Sequence, residues 1–244
     1  MITDKIKNLL SVNTKMFLMG MWPNLYKFLK ILEAKLLGIR VKKPNLQLPN
    51  YYLVKSALSP EDTVVDVGCG YDADFSFYMI KRHGLHAIGI DPTLKHQKSL
   101  AELAEKSDKK FSHQMWAVSN FAGKIKFNES VTSVSGSIMK EHINIKDKKT
   151  VEYEVESVTL KELPAKLNLT KIKYLKLDIE GAEYELIKNL KQSDLEKYDE
   201  IFIEFHHHAL PQYSKQDTLA MATKIKNFGF RAFTLDNHDF LFYR

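Results

Sequence analysis

The chain has 244 residues, of which 44% are apolar and 27% are charged, a composition typical of a folded globular protein that can bury a sizeable core. Its single cysteine, Cys69, excludes an intramolecular disulfide and a metal site built from several cysteines. The net charge of +6 is concentrated in residues 1–55, which hold nine lysines and one arginine against Asp4 and Glu33.

The sequence contains no stretch of 18 or more uncharged apolar residues, and Asp4, Lys5 and Lys7 interrupt its first ten positions. These features predict neither a membrane span nor a typical signal peptide. The expected location is therefore cytoplasmic, and peripheral contact with a membrane is an alternative that depends on residues 1–55.

Residues 1–39 carry apolar residues at mixed spacings of three and four, which predicts two short amphipathic helices broken near Gly20–Pro23. Lys27, Lys30 and Lys35 flank the second helix. Two interpretations follow: a basic helix that lies on an anionic membrane or carrier, or a helical cap packed on the main domain with its lysines in solvent. We predict residues 1–55 as a separate basic extension and residues 56–244 as the main domain.

A helix is predicted over residues 51–58, after which strands and helices alternate. Glycines at positions 84 and 229 mark the ends of two of the helices. The predicted strands lie at 64–68, 86–90, 112–118, 172–177, 200–205, 231–235 and 240–243, and the predicted helices at 72–83, 94–106, 181–190 and 215–228.

Residues 121–160 break this alternation. Apolar and polar residues alternate there, as at Val151, Tyr153 and Val155, which predicts an insertion of antiparallel strands or hairpins. The segment 135–150 is rich in lysine, serine and glycine, and we predict it to be a mobile flap.

Alternating strands and helices predict a doubly wound, mostly parallel sheet with helices on both faces. The last two strands are joined by only about four residues, too few for a crossover helix, so the final strand is expected to be antiparallel. The predicted fold class is therefore α/β, Rossmann-like, with an antiparallel last strand and an N-terminal helical cap.

In such sheets a ligand binds beyond the carboxyl ends of the strands. The glycine turn Gly68–Gly70 follows the first predicted strand, and Asp91, 21 residues after Gly70, is placed to bind the hydroxyls of a ribose. Its alternative role is to cap the next helix. Because Ala73 stands where a dinucleotide fingerprint has its last glycine, a nucleoside without phosphates is favoured. The other polar or small residues at strand ends are Asp66, Ala117, Val118, Asp178, Glu204 and His206.

Five segments together resemble the S-adenosylmethionine-dependent methyltransferases of the FkbM family. They are VVDVGCGY, AIGIDPT, WAVSN, YLKLDIEGAEYELIKNL and EIFIEFHHH, and the strongest is LKLDIEGAE at residues 175–183. The resemblance covers residues 62–242 and implies a class I methyltransferase fold with S-adenosylmethionine as cofactor. It implies that Gly68 and Gly70 lie near the methionine moiety, Asp91 on the ribose, and Ala117 and Val118 beside the adenine.

We predict three further contacts with the cofactor, from Asp66, Tyr71 and Asp178. The chain departs from the family pattern at Gly70, where asparagine is common, and at Asp72, where glycine is common. Trp116 is expected either to border the adenine or to pack in the core. Cys69, between two glycines, is expected to be a packed side chain and not a nucleophile.

Methyl transfer from a sulfonium to a hydroxyl needs alignment and a group that takes the proton. We predict His206 as this base, because neutral imidazole is a good base at pH 7. If the strand continues, His207 points to the opposite side and His208 shares the side of His206. The alternative is that the three histidines are a polar strand end with no role.

Asp178 and Glu204 complete the predicted catalytic set. Asp178 would orient the acceptor hydroxyl, accept its proton or contact the cationic donor. Glu180 and Glu183 belong to the same acidic group, and Glu183 has the alternative role of stabilising a helix N-terminus. Asp178, Glu204 and His206 are also a potential set of ligands for a divalent ion. No metal site is predicted, because no second aspartate or asparagine adjoins Asp178.

The leading hypothesis is an O-methyltransferase for a hydroxyl on a sugar, a glycan or a natural-product small molecule. The first alternative is a nucleic-acid methyltransferase, although residues 178–181 read Asp-Ile-Glu-Gly and not the Asn/Asp-Pro-Pro-Tyr motif of amino-group methylation. The second is a nucleotide-cofactor oxidoreductase or a binding protein on the same fold. Acceptor contacts are expected from the N-terminal cap and from residues 121–160, and a nucleic-acid partner is not predicted.

Overall fold

The computed structural model describes residues 23–42, 52–146 and 149–244. The chain divides into two compact units, Met1–Arg40 and Val41–Arg244, and each is described by itself. The first predicted N-terminal helix lies outside the described residues, whereas the second is present from Pro23 to Leu36. Within the described part of the chain, no helix is long and apolar enough to cross a membrane.

The elements are numbered here in chain order. The helices are α1 (Pro23–Leu36), α2 (Asp74–His83), α3 (Gln97–Lys106), α4 (Leu163–Lys166), α5 (Glu183–Asn189) and α6 (Lys215–Asn227). The strands are β1 (Arg40–Lys42), β2 (Tyr52–Val54), β3 (Thr63–Val67), β4 (His86–Ile90), β5 (Phe111–Gln114), β6 (Trp116–Val118), β7 (Gly123–Ser130), β8 (Gly136–Ser137), β9 (Thr150–Val158), β10 (Ile172–Leu177), β11 (Tyr198–Glu204), β12 (Arg231–Thr234) and β13 (Asp239–Tyr243). Short 3-10 turns lie at Leu94–His96 and Gln192–Leu195.

The central sheet has seven strands in the order β12-β13-β11-β10-β3-β4-β5. Its five strands from β11 to β5 are mutually parallel, and β13 inserts antiparallel beside β11. This is the Rossmann-like arrangement of class I methyltransferases, so the predicted fold class is confirmed, including the antiparallel last strand. The sheet changes winding direction between β3 and β10, and their carboxyl ends therefore flank the expected ligand crevice.

Burial explains why the central strands read as apolar runs. In β10 five of six residues are buried, and in β3 four of five. Strands covered on both faces select β-branched and large aliphatic side chains, as in the predicted segments. The helix ends also follow the sequence: α2 ends at Gly84, whose φ of 72° and whose N–H bond to the carbonyl of Ile80 close the helix.

Strands between residues 116 and 158 form a second sheet, in the order β6-β9-β7-β8. Strands β7 and β9 pair antiparallel from Gly123 opposite Ser157 to Ser130 opposite Thr150. The predicted antiparallel insertion is therefore confirmed. The predicted flap includes β8, which pairs with β7, and its mobility remains a prediction.

The predicted helix at 51–58 is wrong: Tyr52–Val54 form a fully buried strand. The Tyr52 ring packs 4.6 Å from the Phe75 ring and 5.6 Å from the Phe202 ring, centroid to centroid. The N–H groups of Lys55 and Ser56 then donate to the carboxylate of Glu200. These contacts across the fold outweigh a local pattern that was too short to specify a helix.

The single strand predicted at 112–118 is two strands in different sheets. Strand β5 pairs with β4 in the central sheet, and β6 pairs with β9 in the second sheet. The change of partner occurs at Met115, between the two strands. Ala117 and Val118 therefore reach the crevice as part of the insertion's sheet.

Candidate active site

A cavity of about 320 Å³ lies at the carboxyl ends of β3, β4 and β10 and is closed on one side by the second sheet. We call it the strand-end cavity. Its volume falls within the range of small-molecule sites. It is lined by every predicted cofactor residue except Asp66, namely Gly68, Gly70, Tyr71, Asp91, Ala117, Val118 and Asp178. The expectation that ligand-binding residues lie beyond the carboxyl ends of the strands therefore places these residues around one cavity. Their contacts with a cofactor remain a prediction.

The two glycines shape the turn in different ways. A Cβ on Gly68 would lie 1.6 Å from the carbonyl oxygen of Asp178, and the residue has a φ of +78°. Both amides are already used, since the N–H of Gly68 donates to the carbonyl of Ile90 and that of Gly70 to Asp91. These amides are therefore engaged within the protein, where they hold neighbouring strand ends together.

Asp91 is buried at the end of β4. Its Oδ2 accepts the N–H of Gly70 at 2.9 Å and its Oδ1 accepts the N–H of Thr93 at 2.8 Å. Burial acts to raise its pKa, but His96 and Thr93 outweigh burial and hold the pKa of this carboxyl below its usual range. An ionised Asp91 thus lines the cavity and holds the glycine turn. The alternative role of capping the next helix is not found, because Thr93 stands at the N-cap of the following 3-10 turn.

Asp66 does not line the cavity. It is fully buried, and its Oδ2 accepts a hydrogen bond from Ser76 Oγ at 2.8 Å, while its Oδ1 lies 3.4 Å from Lys176 Nζ. Burial raises the pKa of Asp66 despite this lysine. The structure therefore gives Asp66 a supporting place behind Lys176, which does line the cavity, and does not give it the predicted contact with a cofactor.

Lys176 is the residue that sequence reasoning missed. It lies opposite Asp66 in the register of β10 and β3, and its Nζ is 3.1 Å from Oδ2 of Asp178. Burial lowers its pKa, but Asp178 and Asp66 raise the pKa well above the usual range, so the ammonium stays charged. A lysine inside an otherwise buried strand was the signal that could have revealed it.

The second sheet supplies the opposite wall of the cavity. The cavity is lined on this side by Trp116 of β6, Phe127 of β7, Gly136 of β8, Val134, Ser135 and Ile138. The hydroxyl of Ser137 donates to the carbonyl of Glu180 at 2.8 Å and so ties this wall to the segment after β10. Trp116 therefore borders the cavity while it also packs against the main core.

His206 lies behind the cavity wall among three carboxylates. Its Nδ1 is 3.0 Å from Glu183 Oε1, and its Nε2 is 3.5 Å from Asp178 Oδ1 and 3.8 Å from Glu180 Oε2. Burial lowers its pKa, but Glu183, Asp178 and Glu180 raise the pKa well above the usual range. The expectation of a neutral imidazole at pH 7 is therefore wrong for this arrangement, since these carboxylates favour a cation at His206.

Glu204 ends β11 and faces Asp178 and His206, so the three predicted catalytic residues are brought together. One ligand atom from each lies within 4.8 Å of the others. Burial, with the charges of Asp178 and Asp239, raises the pKa of Glu204 to about 8. From the described residues its carboxylate receives neither a hydrogen bond nor an ion pair.

The neighbouring histidines do not follow strand alternation, because β11 stops at Glu204. His207 turns to α6, where its Nδ1 lies 3.0 Å from Thr218 Oγ1. His208 contacts His238, with 3.0 Å between Nδ1 and Nε2, and its ring centroid is 5.7 Å from that of His206. The ring centroid of His207 is nevertheless 6.1 Å from that of His208, so the expected separation of these two histidines is not found.

Cys69 lines the cavity as a buried side chain. Burial raises the pKa of its thiol well above the usual range, and Asp66 and Asp91 add to this effect. A protonated thiol is a poor nucleophile. The prediction of a packed and unreactive side chain agrees with this environment.

Solved structures similar to this one include several methyltransferases. The Methanococcus jannaschii fibrillarin pre-rRNA processing protein is 9% identical, with a TM-score of 0.46 over 88% of this chain and 74% of that chain. The human methyltransferase 10 domain containing protein is 10% identical, with a TM-score of 0.41 over 90% and 95%. M. capricolum TrmK, in complex with S-adenosyl-homocysteine, is 11% identical, with a TM-score of 0.39 over 76% and 62%.

No curated protein matches the chain in sequence. The family model described as the methyltransferase FkbM domain matches residues 57–232. This range contains the glycine turn, the insertion and the cluster around Asp178. Because the match covers well over half of the sequence, the chain belongs to the FkbM methyltransferase family.

Proposed function

We propose that the protein transfers the methyl group of S-adenosylmethionine to a hydroxyl of a sugar, a glycan or a natural-product small molecule. The observation that carries the proposal is the composition of the strand-end cavity. Asp91, Asp178 and Glu180 line it beside the glycine turn, and Trp116 and Ala117 line it from the second sheet. Acidic groups suit a cationic sulfonium and a ribose, and an apolar wall suits an adenine.

The donor is S-adenosylmethionine. A carboxylate has about four lone-pair sites, and the N–H groups of Gly70 and Thr93 use two of those on Asp91. His96 Nδ1 lies 3.5 Å from Oδ2 of Asp91, which leaves about one site for a ribose hydroxyl. The amides of Gly68 and Gly70 are occupied within the protein, so the turn offers little to a phosphate. These contacts favour a nucleoside without phosphates over a dinucleotide.

The acceptor is a hydroxyl because carboxylates line the cavity beside the donor and can take the hydroxyl proton. As the oxygen attacks the methyl carbon, the carbon–sulfur bond breaks, its electron pair stays on sulfur, and the hydroxyl proton passes to one of these carboxylates. Asp178 and Glu180 are the carboxylates that follow β10. Asp178 is also fixed by Lys176, which suits it to orient the hydroxyl.

The acceptor binds in the part of the strand-end cavity that is lined by the second sheet. Val134, Ser135 and Ile138 of the insertion line the same cavity and are not needed to hold an adenosyl group. Mixed apolar and hydroxyl groups suit a polyol or a decorated ring better than a polyanion.

The experiment begins with calorimetry of the full chain against S-adenosyl-homocysteine and NAD. Binding of the first and not the second is expected, and binding of NAD alone would overturn the donor. S-adenosylmethionine labelled with ¹³C in its methyl group is then incubated with sugars, polyols, phenols and RNA oligonucleotides. A methoxy signal on a small hydroxylated acceptor is the expected result, whereas an N-methyl signal or labelled RNA alone would overturn the acceptor.

We propose separately that α1 touches an anionic membrane surface. Leu25, Phe28, Leu29, Leu32 and Leu36 follow helical spacing along one face, and all are exposed, up to 65% at Leu36. Lys30 and Lys35 lie on the same helix. An exposed apolar stripe beside lysines is the pattern by which a helix lies in the interfacial region of a bilayer that contains acidic lipids.

A further inference from the structure

Five metal-ligating side chains converge next to the strand-end cavity, from the ends of β10 and β11 and the start of β13. We call them the acid-histidine cluster: Asp178, Glu204, His206, His238 and Asp239. Ligand atoms of Asp178, Glu204 and His206 lie within 4.8 Å of one another, and so do those of Glu204, His238 and Asp239. Glu204 belongs to both groups because it lies opposite Asp239 in the register of β11 and β13.

His206 has the orientation that proteins give to a metal ligand. Its Nδ1 is held 3.0 Å from Oε1 of Glu183, a carboxylate with no exposed surface that also accepts the N–H of Ile179. A carboxylate on one ring nitrogen fixes the ring and directs the other nitrogen to an ion. Here the other nitrogen, Nε2, faces Asp178 and Glu180.

The distances leave space for an ion and not for a strong hydrogen bond. Nε2 of His206 is 3.5 Å from Oδ1 of Asp178 and 3.8 Å from Oε2 of Glu180. Hydrogen bonds between nitrogen and oxygen are usually about 2.9 Å long. Two ligand atoms that each lie about 2.1 Å from one ion are about 3.0–3.5 Å apart at ordinary coordination angles.

Apart from His206, the inferred ligands that face this space are the carboxyl groups of Asp178 and Glu204. Lys176 contacts Oδ2 of Asp178 and also Asp66, so Oδ1 of Asp178 is turned to the cluster. The half-buried carboxylate of Glu204 has no hydrogen-bond or ion-pair partner among the described residues. A partly buried carboxylate that ionises without a partner is costly, and a divalent ion between Glu204 and Asp178 would offset that cost.

The second group is the weaker candidate. Nδ1 of His238 lies 2.5 Å from Asp239 Oδ1, and its Nε2 lies 3.0 Å from Nδ1 of His208. Both ring nitrogens are thus engaged, and ligation would require one of these contacts to break. In the first group, Nε2 of His206 and the carboxylate of Glu204 need no such change.

We infer that Asp178, Glu204 and His206 bind a divalent metal ion, with Glu183 orienting the histidine. Two carboxylate oxygens and one imidazole nitrogen suit Mn²⁺ and related ions, and three protein ligands leave coordination positions open. This reverses the expectation of no metal site. Because Asp178 lines the strand-end cavity, an acceptor hydroxyl oxygen would fill an open position, a step that rests on the proposed function.

The test titrates MnCl₂ into the metal-free full chain and follows free Mn²⁺ by electron paramagnetic resonance. One saturable site per chain is expected. Glu204→Gln and His206→Gln should each raise the dissociation constant at least 10-fold, whereas Asp239→Asn and His238→Gln should change it less than 3-fold. Circular dichroism and thermal unfolding show whether each variant is folded.

A measurement on the unchanged protein covers the case in which a variant does not fold. Bound Mn²⁺ should show magnetic coupling to one imidazole ¹⁴N. The inference is overturned by the absence of saturable binding, by the absence of this coupling, or by binding that is lost in Asp239→Asn but kept in Glu204→Gln. Mn²⁺ binding by a chain that does not bind S-adenosyl-homocysteine would leave the metal site standing and remove the proposed function.

Discussion

The carbonyl oxygen of Asp178 lies 1.6 Å from the point that a Cβ on Gly68 would occupy. The adjacent parallel strands β3 and β10 therefore end in direct backbone contact, and the N–H of Asp178 donates to the carbonyl of Val67. Because Asp178 follows β10 at once, this contact fixes where its carboxylate stands relative to the cavity. The first glycine of the turn thus positions an acidic residue more than a hundred positions later.

The first prediction concerns this contact. Gly68→Ala places a methyl group against backbone that cannot move aside, so we expect loss of the folded state or destabilisation of about 4 kcal/mol or more. Gly70→Ala is the matched control, because its φ of +67° is similar but its Cβ meets only Asp72 Oδ1 at 3.8 Å. It should lose about 1–2 kcal/mol from the positive φ alone. Urea unfolding measures both, and equal losses would contradict the argument.

The second prediction concerns the buried cation. Lys176→Met leaves Asp66 and Asp178 buried without their shared partner, so we expect destabilisation of about 3–5 kcal/mol at pH 7. Lys173→Met changes the same strand at a half-exposed site paired with Asp199 and should lose less than about 1 kcal/mol.

A second substitution identifies the cause. Adding Asp66→Asn to Lys176→Met removes one of the two buried carboxylates that have lost their partner. This should restore part of the lost stability. Chemical unfolding of the single and double variants checks this. No recovery in the double variant would mean that the lysine acts through packing, as in its contact with the Tyr52 ring, and not through charge.

The central fold could be predicted because it follows from local rules. Short, mainly apolar segments such as 172–177 predict strands covered on both faces, and the helices that link such segments predict a parallel sheet. In a parallel sheet Gly70, Asp91 and Asp178 are expected to lie at one edge, and all three line the strand-end cavity. The rule concerns positions along strands and says nothing of what each side chain touches.

The remaining features depend on partners that are distant in sequence. Tyr52–Val54 is a strand because Phe75 and Phe202 pack on it. Lys176 stays charged inside the sheet in part because Asp66 lies opposite it on β3. His206 was expected to be neutral, but Glu183 and Glu180 stand beside it. None of these pairings leaves a periodic trace in the sequence, so reasoning from periodicity missed them.

The third prediction concerns Asp91 and pH. In Asp91→Asn an amide replaces the carboxylate that accepts the N–H groups of Gly70 and Thr93, so we expect a loss of about 1–3 kcal/mol at pH 7. The affinity for S-adenosyl-homocysteine should fall about 10-fold. Asp108→Asn, at an exposed site with a φ of +50°, should change neither quantity measurably.

The pH dependence follows from the direction of the pKa shift. The pKa of Asp91 is lowered in the folded protein, so its stabilising contribution is complete above the unfolded pKa of about 3.9. It is lost as the pH falls through the lower, folded pKa. The stability difference between the native chain and Asp91→Asn should therefore be constant between pH 5 and 8 and shrink below about pH 4. Unfolding curves of both proteins across this pH range measure the difference. A difference that grows as the pH falls would contradict a lowered pKa of Asp91 in the folded protein.

The fourth prediction concerns α1 and lipid. If its exposed stripe enters a bilayer surface, replacing Phe28 and Leu36 with glutamate removes two large apolar contacts and adds two repelled charges. Co-sedimentation with vesicles that contain phosphatidylglycerol should then weaken at least 10-fold. The native chain should bind these vesicles more tightly than pure phosphatidylcholine, and added salt should reduce the difference.

The control makes the same kind of change elsewhere. Val131 is 53% exposed in the loop after β7, so Val131→Glu adds an equivalent charge without touching α1. It should leave vesicle binding within about 2-fold, because the apolar stripe of α1 and its lysines are unchanged. Equal loss in both variants would show that net charge governs binding, and binding to neutral vesicles as tight as to acidic ones would show that the lysines of α1 do not select the surface.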